Sequence, residues 1–510
     1  MSGFGRLQIH LFLLLCTVFV FFVNGHPWIE ADSQRMVSSN FVWNHSLGVA
    51  HEMPSRGWIQ GTNGCFYDPH GIANVLIMVP LAMLEPVIHG VAKSKSEQVL
   101  VFLGALSGAA INSCVCSVFF MTLVLLGRSL KISLSATVCL AFATILFPYA
   151  MNNFEGNISM LCVISTVYCL CAYRAKNKKR FVVLAGLCAG FAITARDFSL
   201  VLLVCAGIFM AVTAWQRKKI SLVCMFLGAA FPGIALWGYY NWLRTGIFYM
   251  PVVGANVGGG IFDYHAPQKN FFTGLQGLLL SPGGSLFVFS PIFLISLWGW
   301  QRFLREKKAE GILVLSLVIS YISVNAGMQG IFGLYWFGFW GWGPRYILEI
   351  TPLMVLPLAY CFSAPWFRKK TVRVIFFAVG IYSVCIQLAG VMTNWHGRLW
   401  YLIERKGIET FLWDARFSQW WDGLKTVGIN CWNLIFGSAH YLYNAGYDAG
   451  LSKESLYTSQ TIFTWWNRLL YVGVHPVWIC IYLAVSVVVV LTSLRYVIGY
   501  IWISPDKRAA

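Results

Sequence analysis

A chain of 510 residues that is 58% hydrophobic, 16% aromatic and only 11% charged, with a mean hydropathy of +0.66, is not a soluble globular protein. Its formal net charge of +18 is spread over short Lys/Arg clusters between apolar stretches, the pattern of a membrane protein's inner loops. No continuous basic face is present, which excludes nucleic acid as a partner.

Reading apolar runs of about 17 to 25 residues as spans and basic clusters as inside, the chain is an all-α polytopic membrane protein with about twelve transmembrane helices and both ends inside. The first run, 8–25, follows Arg6 like a signal peptide but lacks a small-x-small cleavage site, so it reads as a retained first helix. An external segment, 26–97, comes next. Within it 71–90 is apolar but carries Pro80, Glu85, Pro86 and His89, and counting it as a span reverses the charge parity of everything downstream. The expectation there is a helix lying in the interface. Spans follow at 98–127, 132–150, 157–173, 181–195, 198–214, 220–242, 283–300, 311–327, 347–363, 372–393 and 477–500. The external loop 243–281 includes "GANVGGG" (254–260), which suits a lid. Residues 1–393 therefore form a transmembrane module, 394–476 an external helical cap rich in Trp, and 477–510 the last span and an inside tail. No internal repeat of the kind many transporters carry is evident.

Most cysteines, among them Cys114, Cys116, Cys169, Cys171, Cys188 and Cys205, lie in apolar segments as small hydrophobes. There is no CxxC and no Cys/His metal spacing. Cys65 and Cys431 fall in external loops, where oxidation is feasible.

Four outer features carry side chains able to do chemistry. Glu30 and Asp32 follow the first helix directly, as either a solvated collar or a base at the membrane surface. Glu155 is the only acid in the short loop "NNFEGN", which also reads as an ordinary turn. Arg196 and Asp197 sit at the tip of a short hairpin in "AITARDFSL", where ionisable groups need partners. They can satisfy one another, or the arginine can face an anionic headgroup. In "WFGFWGWGPRYILE", Arg345 stands beside Trp336, Trp340 and Trp342. Interfacial Trp is common, but Gly341, Gly343 and Pro344 make a tight turn before the arginine, as an anion site requires. No GxxxxGK[ST] or HExxH is present.

In this order the motifs resemble the polyprenyl-phosphate-sugar-dependent glycosyltransferases of the GT-C class, in particular the bacterial relatives of protein O-mannosyltransferases and of the lipid A aminoarabinose transferase. The similar stretches run from 25 to about 365: "EADSQRM", "FYDPHGIANVLIMVPLAML", "FPYAMNNFEGNIS", "ITARD", "YNWLRTGIFYMP", "GLLLSPGGSLFVFSPIFL" and "WGWGPRYILEITPLMVLPL". The resemblance implies a polytopic GT-C fold and inverting transfer of a sugar from a polyprenyl-phosphate donor to a glycan, lipid or protein acceptor. The reaction would lie on the outer face of a bacterial plasma membrane. Asp32, with Glu30 as nearest substitute, matches the carboxylate that serves as general base, and Glu155 matches the acid of the second external loop. Arg345 is implied to hold the donor's phosphate and Arg196 to lie near the carrier lipid. Tyr67 and His70 of "FYDPHG", and Tyr346, are further candidates. The chain departs from the family in two ways: Glu-Ala-Asp replaces an adjacent acidic pair, and Gly283 and Gly284 stand where many members carry Lys or Arg.

The chemistry fits the residues without the name. Sugar transfer needs a base for the acceptor and cations for the leaving phosphate. Arginine alone serves a monophosphate, so no metal is obligatory. Glu30, Asp32 and Glu155 could gather a divalent cation, Mg or Mn, if the donor were a diphosphate. The rival readings are a transporter or flippase for a lipid-linked substrate, which needs charges buried mid-helix, and a non-catalytic scaffold of the same fold.

Overall fold

Helices make up nearly all of the computed structural model, which describes residues 3–23, 29–50, 58–249, 270–332, 336–338, 341–395, 399, 403, 406–436, 464–466 and 475–503. In chain order they are α1 (Gly3–Phe22), α2 (Ile29–Asn44), α3 (Ile72–Ala92), α4 (Ser96–Leu125), α5 (Leu130–Phe142), α6 (Leu146–Tyr149) and α7 (Glu155–Lys176). There follow α8 (Arg180–Ala195), α9 (Leu200–Gln216), α10 (Ser221–Thr245), α11 (Phe271–Leu280), α12 (Leu286–Phe289), α13 (Ile292–Leu297) and α14 (Trp300–Glu306). The last are α15 (Lys308–Phe332), α16 (Thr351–Val355), α17 (Leu358–Phe362), α18 (Lys370–Met392), α19 (Ile408–Trp413), α20 (Gln419–Phe436) and α21 (Pro476–Ile503). One antiparallel hairpin, β1 (Ile59–Gln60) with β2 (Phe66–Tyr67), lies between α2 and α3.

Among the described residues 10 helical segments are long and apolar enough to cross a membrane, which makes this an all-α polytopic membrane protein. Nine of them match expected spans; the tenth is α3, so the expected helix at 71–90 exists and reaches the length and hydropathy of a span. Two expected spans are broken, and a third is the short helix expected of it. Residues 132–150 divide into α5 and α6, 181–195 is the 16-residue α8, and 283–300 falls into pieces around Ser290, whose backbone leaves helical geometry at φ −140° and ψ 70°. The stretch 347–363 is likewise a 3₁₀ turn (Arg345–Ile350) followed by α16 and α17. Part of the loop expected at 243–281 is helical as α11; residues 250–269, with the glycine run, lie outside the described residues.

Most of α7 is buried, with α4, α8 and the Arg345–Ile350 turn packed around it. α1 joins the same core through Leu7, Leu11, Leu15 and Phe19 and lies against α21 and α4. Polar groups stitch α2 to α3: Arg35 donates to Glu85 at 2.5 Å, Ser39 also reaches Glu85, and the Ser38 hydroxyl donates to the Val75 carbonyl at 2.7 Å. That pairing accounts for an acid inside so apolar a helix. At the opposite ends of the long helices, basic residues meet the few acids there, Arg128 with Glu306 at 2.7 Å and Arg174 with Glu310 at 2.9 Å. Cys65 and Cys431 are both free thiols.

α8 and α10 pack with their backbones in close contact. Gly186 and Gly190, four residues apart in "GLCAG", face Phe226, Ala230 and Gly233, and a Cβ on either glycine would overlap the Phe226 or Ala230 carbonyl oxygen. Small residues at this spacing let backbones touch where the apolar solvent supplies no hydrophobic drive. Gly190→Leu should cost about 2 to 3 kcal/mol of stability by overpacking, read as a lower melting temperature in detergent. Gly228→Leu, where a Cβ meets nothing within 4 Å, should be neutral.

Candidate active site

At one end of the helices, α7 begins, the α8–α9 hairpin turns and the Arg345–Ile350 segment packs beside them. The side chains there form one buried ionic cluster. Arg196, 5% exposed, donates through Nε to Glu155 Oε1 at 3.0 Å and through Nη1 to Glu349 Oε1 at 3.4 Å. The Ser199 hydroxyl donates to the other Glu349 oxygen at 3.1 Å and lies 2.6 Å from the Ser159 hydroxyl. The Arg196 guanidinium carbon sits 4.8 Å from the Phe154 ring centre and 5.4 Å from that of Tyr346. The Arg345 guanidinium lies on the same two rings, at 5.7 and 5.4 Å. Two cations thus share one aromatic pair, an arrangement that tolerates their proximity because each ring face carries negative charge.

The "DPHG" segment, 68–71, closes on this cluster from outside. The Gly71 N–H donates to Glu155 Oε2 at 3.4 Å, and a Cβ at Gly71 would overlap the Thr194 and Ala195 carbonyls. Only glycine allows the segment so near the hairpin. Arg244 of α10 pins the segment through Nη1, which donates to the Pro69 carbonyl at 2.9 Å and the His70 carbonyl at 3.1 Å. Tyr240 donates to the Asp68 carbonyl at 3.3 Å. The motif "YNWLR" therefore acts as a clamp on "DPHG". Asp68 is fully buried and lies 2.7 Å from His70 Nδ1, and it accepts the His70 backbone N–H at 2.7 Å. Burial pushes the Asp68 carboxyl up, but the charge and hydrogen bonds of His70 and a hydrogen bond from Ser33 outweigh it and hold it below its ordinary value.

The turn that presents Arg345 is held from the segment expected as a cap. Gln419, at the start of α20, accepts the Gly343 N–H at 3.1 Å and donates to the Gly341 carbonyl at 3.2 Å. Gly343 takes φ +65°, a left-handed conformation that glycine adopts without strain. Trp336 and Trp342 are interior rather than part of an interfacial belt. Trp342 meets Phe289 edge-on at 5.5 Å, and Trp336 lies against Gly277 and Gly284. Gly283 donates its N–H to the Leu412 carbonyl at 3.1 Å, and the Ser281 hydroxyl donates to the same carbonyl at 2.6 Å. Gly283 of "SPGGSLF" is thus where α19 docks, and its N–H is already engaged.

Of the residues singled out in the sequence, Glu155, Arg196, Arg345 and Tyr346 come together in the cluster, and His70 borders it. Tyr67 is instead a packing residue, edge-on to Tyr240 at 6.3 Å with its hydroxyl accepting from Asn63 at 2.8 Å. Asp197 turns away from Arg196 to accept from the Trp237 indole at 2.5 Å. Glu30 and Asp32 lie on the first turn of α2, but their side chains, like Trp340, fall outside the described residues. Sequence reading passed over Glu349, Asp68, Arg244 and Gln419. Glu349 carried a signal, as an acid inside an apolar run; Gln419 carried none.

Neither a protein-family model nor a curated protein matches the chain. Among solved structures it is similar to ArnT from Cupriavidus metallidurans bound to undecaprenyl phosphate, with 12% identity and a TM-score of 0.41 over 83% of this chain and 75% of that one. The apo state of that protein gives 13% and 0.43 over the same shares. The archaeal oligosaccharyltransferase AglB from Archaeoglobus fulgidus, in complex with an inhibitory peptide and a dolichol-phosphate, gives 12% and 0.43 over 88% of this chain and 61% of that one. Both are GT-C enzymes, the class that the motif order resembles.

Two outcomes test the cluster. Arg196→Gln strands two buried carboxylates and should destabilise the protein by about 3 to 5 kcal/mol, with part recovered in Arg196→Gln/Glu349→Gln. Because Asp68 titrates below its ordinary value of 3.8 when folded, it stabilises the fold above that value and loses the contribution as pH falls through the lower one. The melting deficit of Asp68→Asn should therefore be fullest at about pH 5 to 6, where Asp68 is ionised and an imidazole is charged, and shrink below about pH 4.

Proposed function

We propose that the protein is a membrane glycosyltransferase that moves a sugar from a polyprenyl-phosphate carrier to an acceptor at the outer, periplasmic face of a bacterial plasma membrane. The observation that carries this reading is the pair of buried arginines on the Phe154 and Tyr346 rings at one end of the helices. Guanidinium suits phosphate because its planar donors match two phosphate oxygens at once, and burial in low dielectric strengthens the attraction. A lipid phosphate reaching this depth from the bilayer keeps its chain among apolar helices and its headgroup at the helix ends.

Arg345 and Arg196 hold the phosphate. The base is Asp32, with Glu30 as its nearest substitute, on the first turn of α2. Its neighbour Ser33 hydrogen-bonds Asp68, and the Asp68 segment reaches Glu155 through Gly71, which supports a base close to the arginines. The acceptor's O–H or N–H proton passes to the carboxylate as its O or N attacks the anomeric carbon. The bond from that carbon to the phosphate oxygen breaks on the opposite side, and the electron pair leaves with the polyprenyl phosphate. Configuration inverts in this single displacement, and the arginines stabilise the charge that develops on the phosphate. The basic clusters at the other helix ends support the outer orientation. The acceptor is a glycan, a lipid or a protein.

Purified protein in nanodiscs, given a panel of radiolabelled polyprenyl-phosphate sugars, should move label to an acceptor or to water. Arg345→Ala should lower kcat/KM by about a hundredfold, the loss seen when one such donor is removed. Asp32→Asn should abolish transfer while Glu30→Gln retains it. No turnover with any donor, together with flipping of the lipid by the wild type, would move the protein to the transporter reading.

A further inference from the structure

We infer that Glu155 is a built-in stand-in for phosphate: its carboxylate holds the anion position between Arg196 and the start of α3, and a phosphate group enters by displacing it. This rests on the proposed phosphate site and adds how that site is kept before the donor arrives.

The position is built for an anion from three directions. Arg196 donates to one Glu155 oxygen at 3.0 Å, and the Gly71 N–H donates to the other at 3.4 Å. Gly71 is the N-cap residue of the 21-residue α3, and that terminus has no side-chain cap of its own. Glu155 therefore supplies from another segment the negative charge that the exposed N–H groups and the helix dipole favour. Arg345 lies on the same two rings as Arg196, so a second cation borders the position. Asn153, two residues before Glu155 and 1% exposed, has no hydrogen-bond partner for either amide atom, which leaves a further unsatisfied N–H donor near the start of α7.

The exchange also balances. Arg196 keeps Glu349 at 3.4 Å when Glu155 leaves, so it stays oriented and compensated while phosphate restores the lost negative charge. An internal competitor lowers apparent affinity by the fraction of time the site is open. It also spares an empty enzyme the cost of an uncompensated buried cation.

The test is binding of farnesyl phosphate to the full-length protein in detergent, by calorimetry, with farnesol and inorganic phosphate as parallel probes. Glu155→Gln should bind farnesyl phosphate about tenfold more tightly than wild type, since the site no longer has to be vacated, and farnesol unchanged. A gain confined to farnesyl phosphate assigns the position to a lipid headgroup; an equal gain with inorganic phosphate assigns it to phosphate as such, and both support the stand-in. Glu155→Asp, which draws the carboxylate back by one methylene, should shift affinity in the same direction by less and serves if the glutamine variant does not fold. Wild-type binding with no gain, or a loss, in both variants overturns the stand-in and leaves the donor site intact. No phosphate binding by any of the proteins overturns the donor site as well.

Discussion

Arg196 is a guanidinium inside the protein between two carboxylates, and the end of the helices where it lies is arranged around its compensation. A buried charge without a partner costs several kcal/mol, on the order of 3 to 5 when one member of a pair is removed. Glu155 at the start of α7 and Glu349 in the 345–350 turn must therefore both close on the α8–α9 hairpin. That closure brings Phe154 and Tyr346 to the same guanidinium, and with them Arg345. Three chain segments far apart in sequence meet because one cation needs them.

The segments outside the long helices are tied to this centre by polar contacts as well as by apolar packing. Arg244 and Tyr240 bind the carbonyls of the "DPHG" segment, and Gly71 can lie against the hairpin because it has no Cβ. α2 is fixed to α3 through Arg35 and Glu85 and through Ser38. The helix that bears Glu30 and Asp32 thus has an anchorage of its own besides the Ser33–Asp68 hydrogen bond. Gln419 and the Leu412 carbonyl do the same for the 341–345 turn and for "SPGGSLF". Backbone groups that leave helical geometry near a membrane must find partners inside the protein, and here those partners are side chains of neighbouring segments.

The two ends of the helices differ in kind. One end gathers the buried arginines, carboxylates and aromatic rings; the other pairs surface cations with Glu306 and Glu310 and leaves many basic residues exposed. A transport path would require ionisable groups along helix interiors. The cluster instead lies at helix starts and turns.

The class and most of the spans were legible in the sequence, because span length and charge parity depend on the bilayer and not on neighbours. Nine of twelve expected spans are apolar helical segments of spanning length and 181–195 is the short helix expected; the failures, 132–150 and 283–300, are interior segments that packing allows to be broken. A hydropathy window registers apolarity and not backbone continuity, so the break at Ser290 left no trace in it. The individual weight of Glu155, Arg196 and Arg345 could be read from their scarcity in apolar surroundings. Their pairing could not: Arg196 takes Glu155 and Glu349 in place of its neighbour Asp197, and the choice is made by which helix ends meet. Tyr67 looked like a site residue and is core, while Gln419 looked like nothing and holds the turn before Arg345. By itself the sequence determined that this is a many-helix membrane protein with its scarce acids and arginines near helix ends. Only tertiary structure decided which of them touch, because an ion pair is set by distance across segments 41 and 153 residues apart, which no local pattern records.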